Sequence, residues 1–360
     1  MLHCIGIFLA LFITASGPAA AGEAPLSRIA FGSCANQDKP QPIWDAVVGM
    51  KPECFLSLGD NIYADTEDMD VMRAKYALLA KQPGYQKLKK TCPILATWDD
   101  HDYGANDAGA EYPKRRAAQQ VFLDFFDVPK DDPRRKQEGV YNSHVFGPKG
   151  KRVQIILLDG RYHRSPLKKG FVKGEPGEGR RGIYVPNTDA DATMLGETQW
   201  RWLEEQLKIP AEVRILGAGI QVVADEHGSE TWGNFPRERR RLFRLIRATR
   251  ANGVVILSGD RHLAEISRLA AANVDGVGYP LYDVTSSSLN MPSGNFTRSK
   301  VRFANEINSY RVGLTYFDVN FGSVLIDWDA ADPVLRLQVR EESGDVVLQQ
   351  RVKLSELRPR

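Results

Sequence analysis

Charge is missing from the start of this chain. Residues 1–21, MLHCIGIFLALFITASGPAAA, hold no Lys, Arg, Asp or Glu. The apolar run from Cys4 to Ala15 is too short for a membrane span, which takes about 20 residues, and the small residues Ala19, Ala20 and Ala21 follow it. That arrangement reads as an export signal cut near Ala21, the alternative being a buried N-terminal helix; export implies a secreted or periplasmic protein. Net charge is also scarce: 48 basic against 45 acidic residues leave +3 over 360 residues. The chain therefore carries no electrostatic footprint for nucleic acid, and after signal removal no stretch reads as a transmembrane segment. Cysteine is sparse. Beyond Cys4 there are Cys34, Cys54 and Cys92, an odd set in an oxidising compartment, so one thiol has a task other than intramolecular pairing. Cys54 and Cys92 each open an apolar run that ends in acidic residues. Placed at one edge of adjacent strands, they are expected to form a disulfide, with Cys34 left free.

Internal repeats and low-complexity linkers are absent too, and hydrophobic residues at 42% with charged residues at 26% are ordinary for a globular protein. What recurs is a short apolar, β-branched run that stops abruptly in polar residues: SRIAFGSC, CFLSLGDNIYAD, PILATWDDHD, VQIILLDGR, VRILGAGIQVV and GVVILSGDRH. Such runs read as buried strands. Helical spacing lies between them in IWDAVVGM, KRRAAQQVFLDFF, ETQWRWLEEQL and PRERRRLFRLIRATR. The arginines from Arg237 to Arg247 read as a solvated helix face. Residues 170–187, rich in Gly and Pro, read as a loop or lid. Residues 314–354 switch to alternation with turns between, predicting antiparallel strands that close the fold without a separate domain. The expectation is an α/β domain over 25–360 behind the signal.

The densest stretch is TWDDHDYGAND, where Asp99, Asp100, Asp102 and Asp107 crowd around His101. A solvated turn explains part of this; a cation turns the repulsion into ligation. The other strand ends favour the cation. Open α/β sheets carry their sites beyond the carboxyl ends of the strands. There this chain places Cys34, then Asp60 with Tyr63, then Asp100 with His101 and Asn106, then Asp260 with His262. Each alone has a plain reading: a buried thiol, a core aromatic, a turn residue. Four such endings on separate strands point to one shared metal site.

In this order, FGSC, GDNIYAD, TWDDHDYGAND and SGDRH resemble the alkaline phosphatase D family of metallophosphatases, over about Arg28 to Ile266. Asp60 and Tyr63 match the Asp-x-x-Tyr spacing of purple acid phosphatases in the wider superfamily. Asp99-Asp100-His101 takes the place of its GNH motif, and Gly259-Asp260-Arg261-His262 that of GHxH with Asp for the first His. The resemblance implies a four-layer α/β/β/α sandwich and a ferric ion with calcium. The ligand chemistry agrees: Cys34, Tyr63 and His262 suit a transition metal, Asp100, Asn106 and Asp260 a harder ion, with Asp60 bridging. Zinc, manganese or magnesium remain open, since availability competes with affinity.

The expected activity is hydrolysis of phosphate monoesters, diesters or both, on a small molecule or a phosphodiester polymer, by metal-activated water. His101 is expected near the leaving oxygen as proton donor or electrostatic stabiliser. Arg161, in LLDGRYHR, is either a fork for phosphate oxygens or half of a structural ion pair. His144, His163 and His227 have no motif partner and read as ordinary histidines. Gly32-Ser33-Cys34 lacks the following Gly of a nucleophile elbow, which argues against acyl chemistry. Two rivals stand beside the enzyme: a cation- or phosphate-binding module without turnover, and a metal-independent lectin-like protein. Phosphoester assays with added metals separate the first, metal analysis the second. Substrate walls are expected in residues 170–187 and 286–305.

Overall fold

In a computed structural model, residues 24–173, 180–273, 275–295, 303 and 306–359 are described. The expected signal and its cleavage point lie outside these residues. Strand β1 (Arg28–Gly32) leads to helix α1 (Ile43–Gly49) and β2 (Cys54–Leu58); helices α2 (Met69–Lys81) and α3 (Pro83–Thr91) precede β3 (Ile94–Thr97). The short α4 (Asp100–Tyr103) and α5 (Arg115–Phe125) follow, then β4 (Asn142–Phe146), β5 (Val153–Leu157) and the pair β6 (Lys168–Lys173) and β7 (Arg180–Val185). Next come α6 (Gly196–Lys208), β8 (Val213–Gly217), α7 (Pro236–Ala248) and β9 (Val254–Ser258). The chain ends in β10 (Ala264–Leu269), β11 (Leu281–Ser286), β12 (Arg311–Tyr316), β13 (Asn320–Asp327), β14 (Val334–Glu341) and β15 (Val346–Lys353).

Two large sheets result, ordered β15-β14-β13-β1-β2-β3 and β12-β10-β11-β9-β8-β5-β4. The strands β1, β2 and β3 are parallel, as are β5, β8, β9 and β11. Alternation sorts the first sheet's side chains. Ile29, Phe31, Leu56 and Leu58 join a core shared with Ile155, Leu216 and Val255 of the second sheet and with Trp200 and Leu203 of α6 and Leu242 and Phe243 of α7. Ala30 and Phe55 face the other way, against Trp44, Met72, Leu88 and Phe122 from α1, α2, α3 and α5. The mixed α/β class is therefore as expected. β13 pairs antiparallel with β1, so the last three strands extend the first sheet, while β12 joins the second beside β10.

Several expectations are corrected. Cys34, Cys54 and Cys92 are all free thiols, so no Cys54–Cys92 bridge forms. Cys54 does open β2, but Cys92 caps α3 ahead of β3 instead of lying in the strand edge. The expected loop at 170–187 contributes to a β6–β7 pair. On α7, Arg239 is buried rather than solvated: it bonds the Val222 and Val223 carbonyls, pairs with Asp225 and lies over the Phe243 ring.

Candidate metal centre

The C-terminal ends of β1, β2 and β3 meet those of β5, β8 and β9 at one edge of the stacked sheets. Contact is close enough to forbid side chains. A Cβ on Gly259 would lie 2.5 Å from Ser33 Oγ and 2.9 Å from the Gly219 carbonyl. Each strand turns sharply as it ends. Cys34 (φ 61°), Asp60 (φ 50°), Asp260 (φ 73°) and His262 (φ 55°) all adopt left-handed backbone, which costs about 1 kcal/mol or more per residue outside glycine. Four such residues from three strand ends, all turned toward one point, are strain held by the surrounding fold.

The donor atoms of Cys34, Asp60 and His262 lie within 4.8 Å of one another. The Cys34 thiol donates to Asp60 Oδ2 at 3.4 Å, and Tyr63 Oη reaches the same oxygen at 3.2 Å and His262 Nε2 at 3.4 Å. His262 Nδ1 donates to the Met291 carbonyl at 2.6 Å. That bond fixes the tautomer and turns the Nε2 lone pair toward the cluster. Burial pushes His262 down to about 4, so the ring is neutral and ready to ligate. Burial pushes Cys34 and Tyr63 well up, reinforced by Asp60 and, for Tyr63, by the thiol. Asp60 is raised by burial and then by Asp100, Asp102 and Asp260. Its Oδ1 is buried with no hydrogen-bond partner among the described residues. A buried carboxylate oxygen with no donor is costly, and a cation held by these residues removes that cost; the donor set fits one.

A second group adjoins the first through Asp60. Asp100 belongs with Asp60 and His101, with Asp99 and Asp260, and with Asp107 and Glu230, each set within 4.8 Å. Burial alone would raise Asp100, but Arg161, His101 and the Asp107 N–H hold it below the usual carboxylate range. Asp102, fully buried, does not ligate: its Oδ1 accepts the Asp60 N–H at 3.1 Å and the Asp99 N–H at 2.8 Å, tying the β2 and β3 turns together. His101 packs against Tyr63 with centroids 4.3 Å apart and the rings tilted by 35°, and its Nδ1 lies 2.8 Å from Asp65. Burial alone would lower His101, but Asp65 and then Asp100 outweigh it and push it up to about 9. Asp100, His101, Asn106, Asp107, Glu230 and Asp260 line a cavity of about 330 Å³.

The PhoD-like phosphatase family model matches residues 29–332. The chain belongs to the PhoD-like phosphatase family. Every residue of the centre falls inside that span. Alkaline phosphatase D of Bacillus subtilis (strain 168) is 23% identical over 294 residues, covering 70% of this chain and 48% of that protein. The chain thus spans about half the length of this curated relative. The solved structure of PhoD superposes with a TM-score of 0.69 at 16% identity, covering 93% of this chain and 70% of that one. A dimetal phosphatase from Danio rerio gives 0.50 at 11% identity, covering 92% and 99%. At these identities both structures speak for the fold.

Within this PhoD-like frame Cys34, Asp60, Tyr63, Asp100, Asp260 and His262 are brought together, and Asn106 sits exposed on the cavity wall. Arg161 is not open to a ligand. It is fully buried, its Nε bonded to Asp99 Oδ1 at 2.7 Å and its two terminal nitrogens to Glu230 at 2.8 Å each. Of the two readings of Arg161, the geometry gives the structural ion pair. Residues that the sequence reading left unassigned are Asp65, Asp107 and Glu230. Asp107 and Asp65 stood in quoted motifs; Glu230 follows β8 in EHGSETWGN, a polar stretch after an apolar run.

Proposed function

We propose that the chain is an exported metal-dependent phosphohydrolase acting on phosphate monoesters, diesters or both, in a single domain over 25–360 built as a four-layer α/β/β/α sandwich. The observation that carries the reading is Asp60: a buried carboxylate with an unpartnered oxygen, shared between a Cys34–Tyr63–His262 group and a carboxylate group around Asp100. The first group suits a transition ion, ferric iron in this proposal, and Asp100, Asn106 and Asp260 suit calcium. Zinc, manganese or magnesium are the alternatives. Bound there, the cations supply Lewis-acid polarisation of phosphoryl oxygens and acidify an attacking water.

The chain's own residues do the rest. Asp65 holds Nδ1 of His101 and keeps the ring protonated at neutral pH, which leaves Nε2 to give a proton to the leaving oxygen. Tyr63 backs the ring by a tilted ring contact. Asp102 keeps the β2 and β3 turns in register, so that Asp60 and Asp100 stay aimed at the same space. The test is metal analysis with kinetics on a leaving-group series. His101→Ala is expected to slow esters with poor leaving groups by about 10²–10⁴-fold and good ones far less. Equal losses across the series would remove the proton-donor role. Metal-replete protein inert toward every ester would leave a binding module.

A further inference from the structure

Each large sheet supplies part of the Cys34–Tyr63–His262 group. Cys34 follows β1 of the first sheet, and His262 follows β9 of the second. A segment outside both strands ties them together. After β11 the chain runs Ser287-Ser288-Leu289-Asn290-Met291-Pro292 and crosses the Cys34 turn. The Leu289 N–H donates to the Ser33 carbonyl at 3.1 Å and the Asn290 N–H to the Cys34 carbonyl at 3.3 Å. The Asn290 side chain then spans the next turn. Its Oδ1 accepts the Asn36 N–H at 2.7 Å, and its Nδ2 donates to the Asn36 carbonyl at 2.8 Å and the Pro40 carbonyl at 3.2 Å. Both ends of one side-chain amide are spent on the backbone that follows Cys34.

The next residue carries the consequence. The Met291 carbonyl accepts the His262 Nδ1 proton at 2.6 Å, and Pro292 after it restricts the Met291 backbone. The Ser293 N–H donates to the His262 carbonyl at 2.8 Å, so ring and backbone of His262 are both tied to this segment. A histidine that ligates through one nitrogen is aimed by the bond its other nitrogen makes. Asn290 therefore stands between the two ligands. By gripping Asn36 and Pro40 it sets where the Met291 carbonyl lies relative to Cys34.

We propose that Asn290 is a positioning residue of the metal centre: it locks the segment whose Met291 carbonyl aims His262 Nε2 at Cys34, Asp60 and Tyr63. This rests on the metal centre of the proposed function and not on the reaction. The first test uses the metal-free full chain with its histidines labelled with nitrogen-15. The His262 Nδ1–H, identified by its loss in His262→Gln, should exchange slowly with water in the unaltered protein and fast in Asn290→Ala. Asn290→Asp keeps the acceptor for the Asn36 N–H but loses both donors, and should behave like Asn290→Ala. The second test titrates cobalt(II) into the same proteins and reads thiolate-to-cobalt absorption, which marks the Cys34 group. Asn290→Ala should bind about 10–100-fold more weakly, the usual cost of losing support behind a ligand. A merely structural role would lower the urea midpoint and leave both readouts of the folded protein unchanged. A ring N–H that stays protected in Asn290→Ala, or an unchanged cobalt affinity, overturns the positioning role while the metal centre stands. No thiolate-to-cobalt band in any of the proteins overturns the centre and this role together. Cobalt binding and the Asn290 effect without ester turnover would support the role and remove only the hydrolase.

Discussion

Replacing Arg161 by methionine separates a structural ion pair from a phosphate clamp. The guanidinium is fully buried and makes one bond to Asp99 at 2.7 Å and two to Glu230 at 2.8 Å. Methionine fills most of the stem's volume and removes the charge. Three charge-assisted bonds at roughly 1.5–3 kcal/mol each set an upper bound of several kcal/mol. Protonation of the abandoned carboxylates relieves part of this; Glu230 already sits at about 7 through burial, against the pull of Arg161 and Arg164. Breaking a buried pair by removing one partner costs about 3–5 kcal/mol, and that is the expected loss for Arg161→Met. Urea unfolding of the metal-free protein, followed by far-ultraviolet circular dichroism, reads it directly. At a slope of about 3 kcal/mol/M the midpoint should fall by roughly 1–1.7 M. Arg161→Lys should fall between, because an ammonium cannot bridge Asp99 and both Glu230 oxygens at once. A midpoint unchanged in Arg161→Met, together with a large loss of kcat/KM, would refute the reasoning and restore the phosphate fork.

Asp60→Asn should leave the fold intact and lower metal occupancy, since the amide removes the charge shared between the two donor groups. Elemental analysis showing normal metal content with near-normal turnover would rule out the bridging role. His144 tests pH dependence away from the centre: burial, then Arg134, lowers it from 6.5 to about 4. A folded value below the unfolded one gives stability that is complete above about 6.5 and is lost as pH falls toward 4, by up to about 3 kcal/mol. His144→Gln should flatten urea midpoints across that window, and an unchanged slope would refute it.

The strand-end residues were legible because parallel strands deliver their termini to one edge, so Cys34, Asp60, Asp100 and Asp260 are fixed by connectivity alone. The C-terminal strands were legible because one face is buried: Leu335, Leu337 and Val339 are buried while Arg336 is exposed. Helices α2 and α3 were missed although Asp68 caps one and Pro83 starts the other. Val71 and Leu78, each 41% exposed, blur the apolar stripe of α2. The partnerships Asp65–His101, Tyr184–Asp107 and Arg161–Glu230 were out of reach, because each joins residues far apart in sequence and leaves no periodicity. The disulfide expectation failed for a related reason: the end of α3, not the strand pattern, sets where Cys92 lies.

Tyr63 decides which metal chemistry this centre runs. Its Oη lies 3.2 Å from Asp60 Oδ2 and 3.4 Å from His262 Nε2, inside the donor group and not in the apolar core. Burial, Cys34 and Asp60 all raise the phenol well above its usual value, so phenolate forms here only if a cation outweighs them. A ferric ion has that charge and a partly filled d shell that accepts electron density from phenolate, which gives a visible absorption band; zinc, with a filled shell, has neither property. Iron-replete protein is therefore expected to be coloured. Tyr63→Phe keeps the ring packed against His101 and removes only the oxygen, so the band should weaken or shift while the unfolding midpoint of the metal-free protein holds. Cys34 contributes a thiolate band of its own, so Cys34→Ser is needed beside Tyr63→Phe to assign the two. A fully active protein that is colourless and free of iron would exclude the ferric assignment, and the same residues would then be serving two divalent ions.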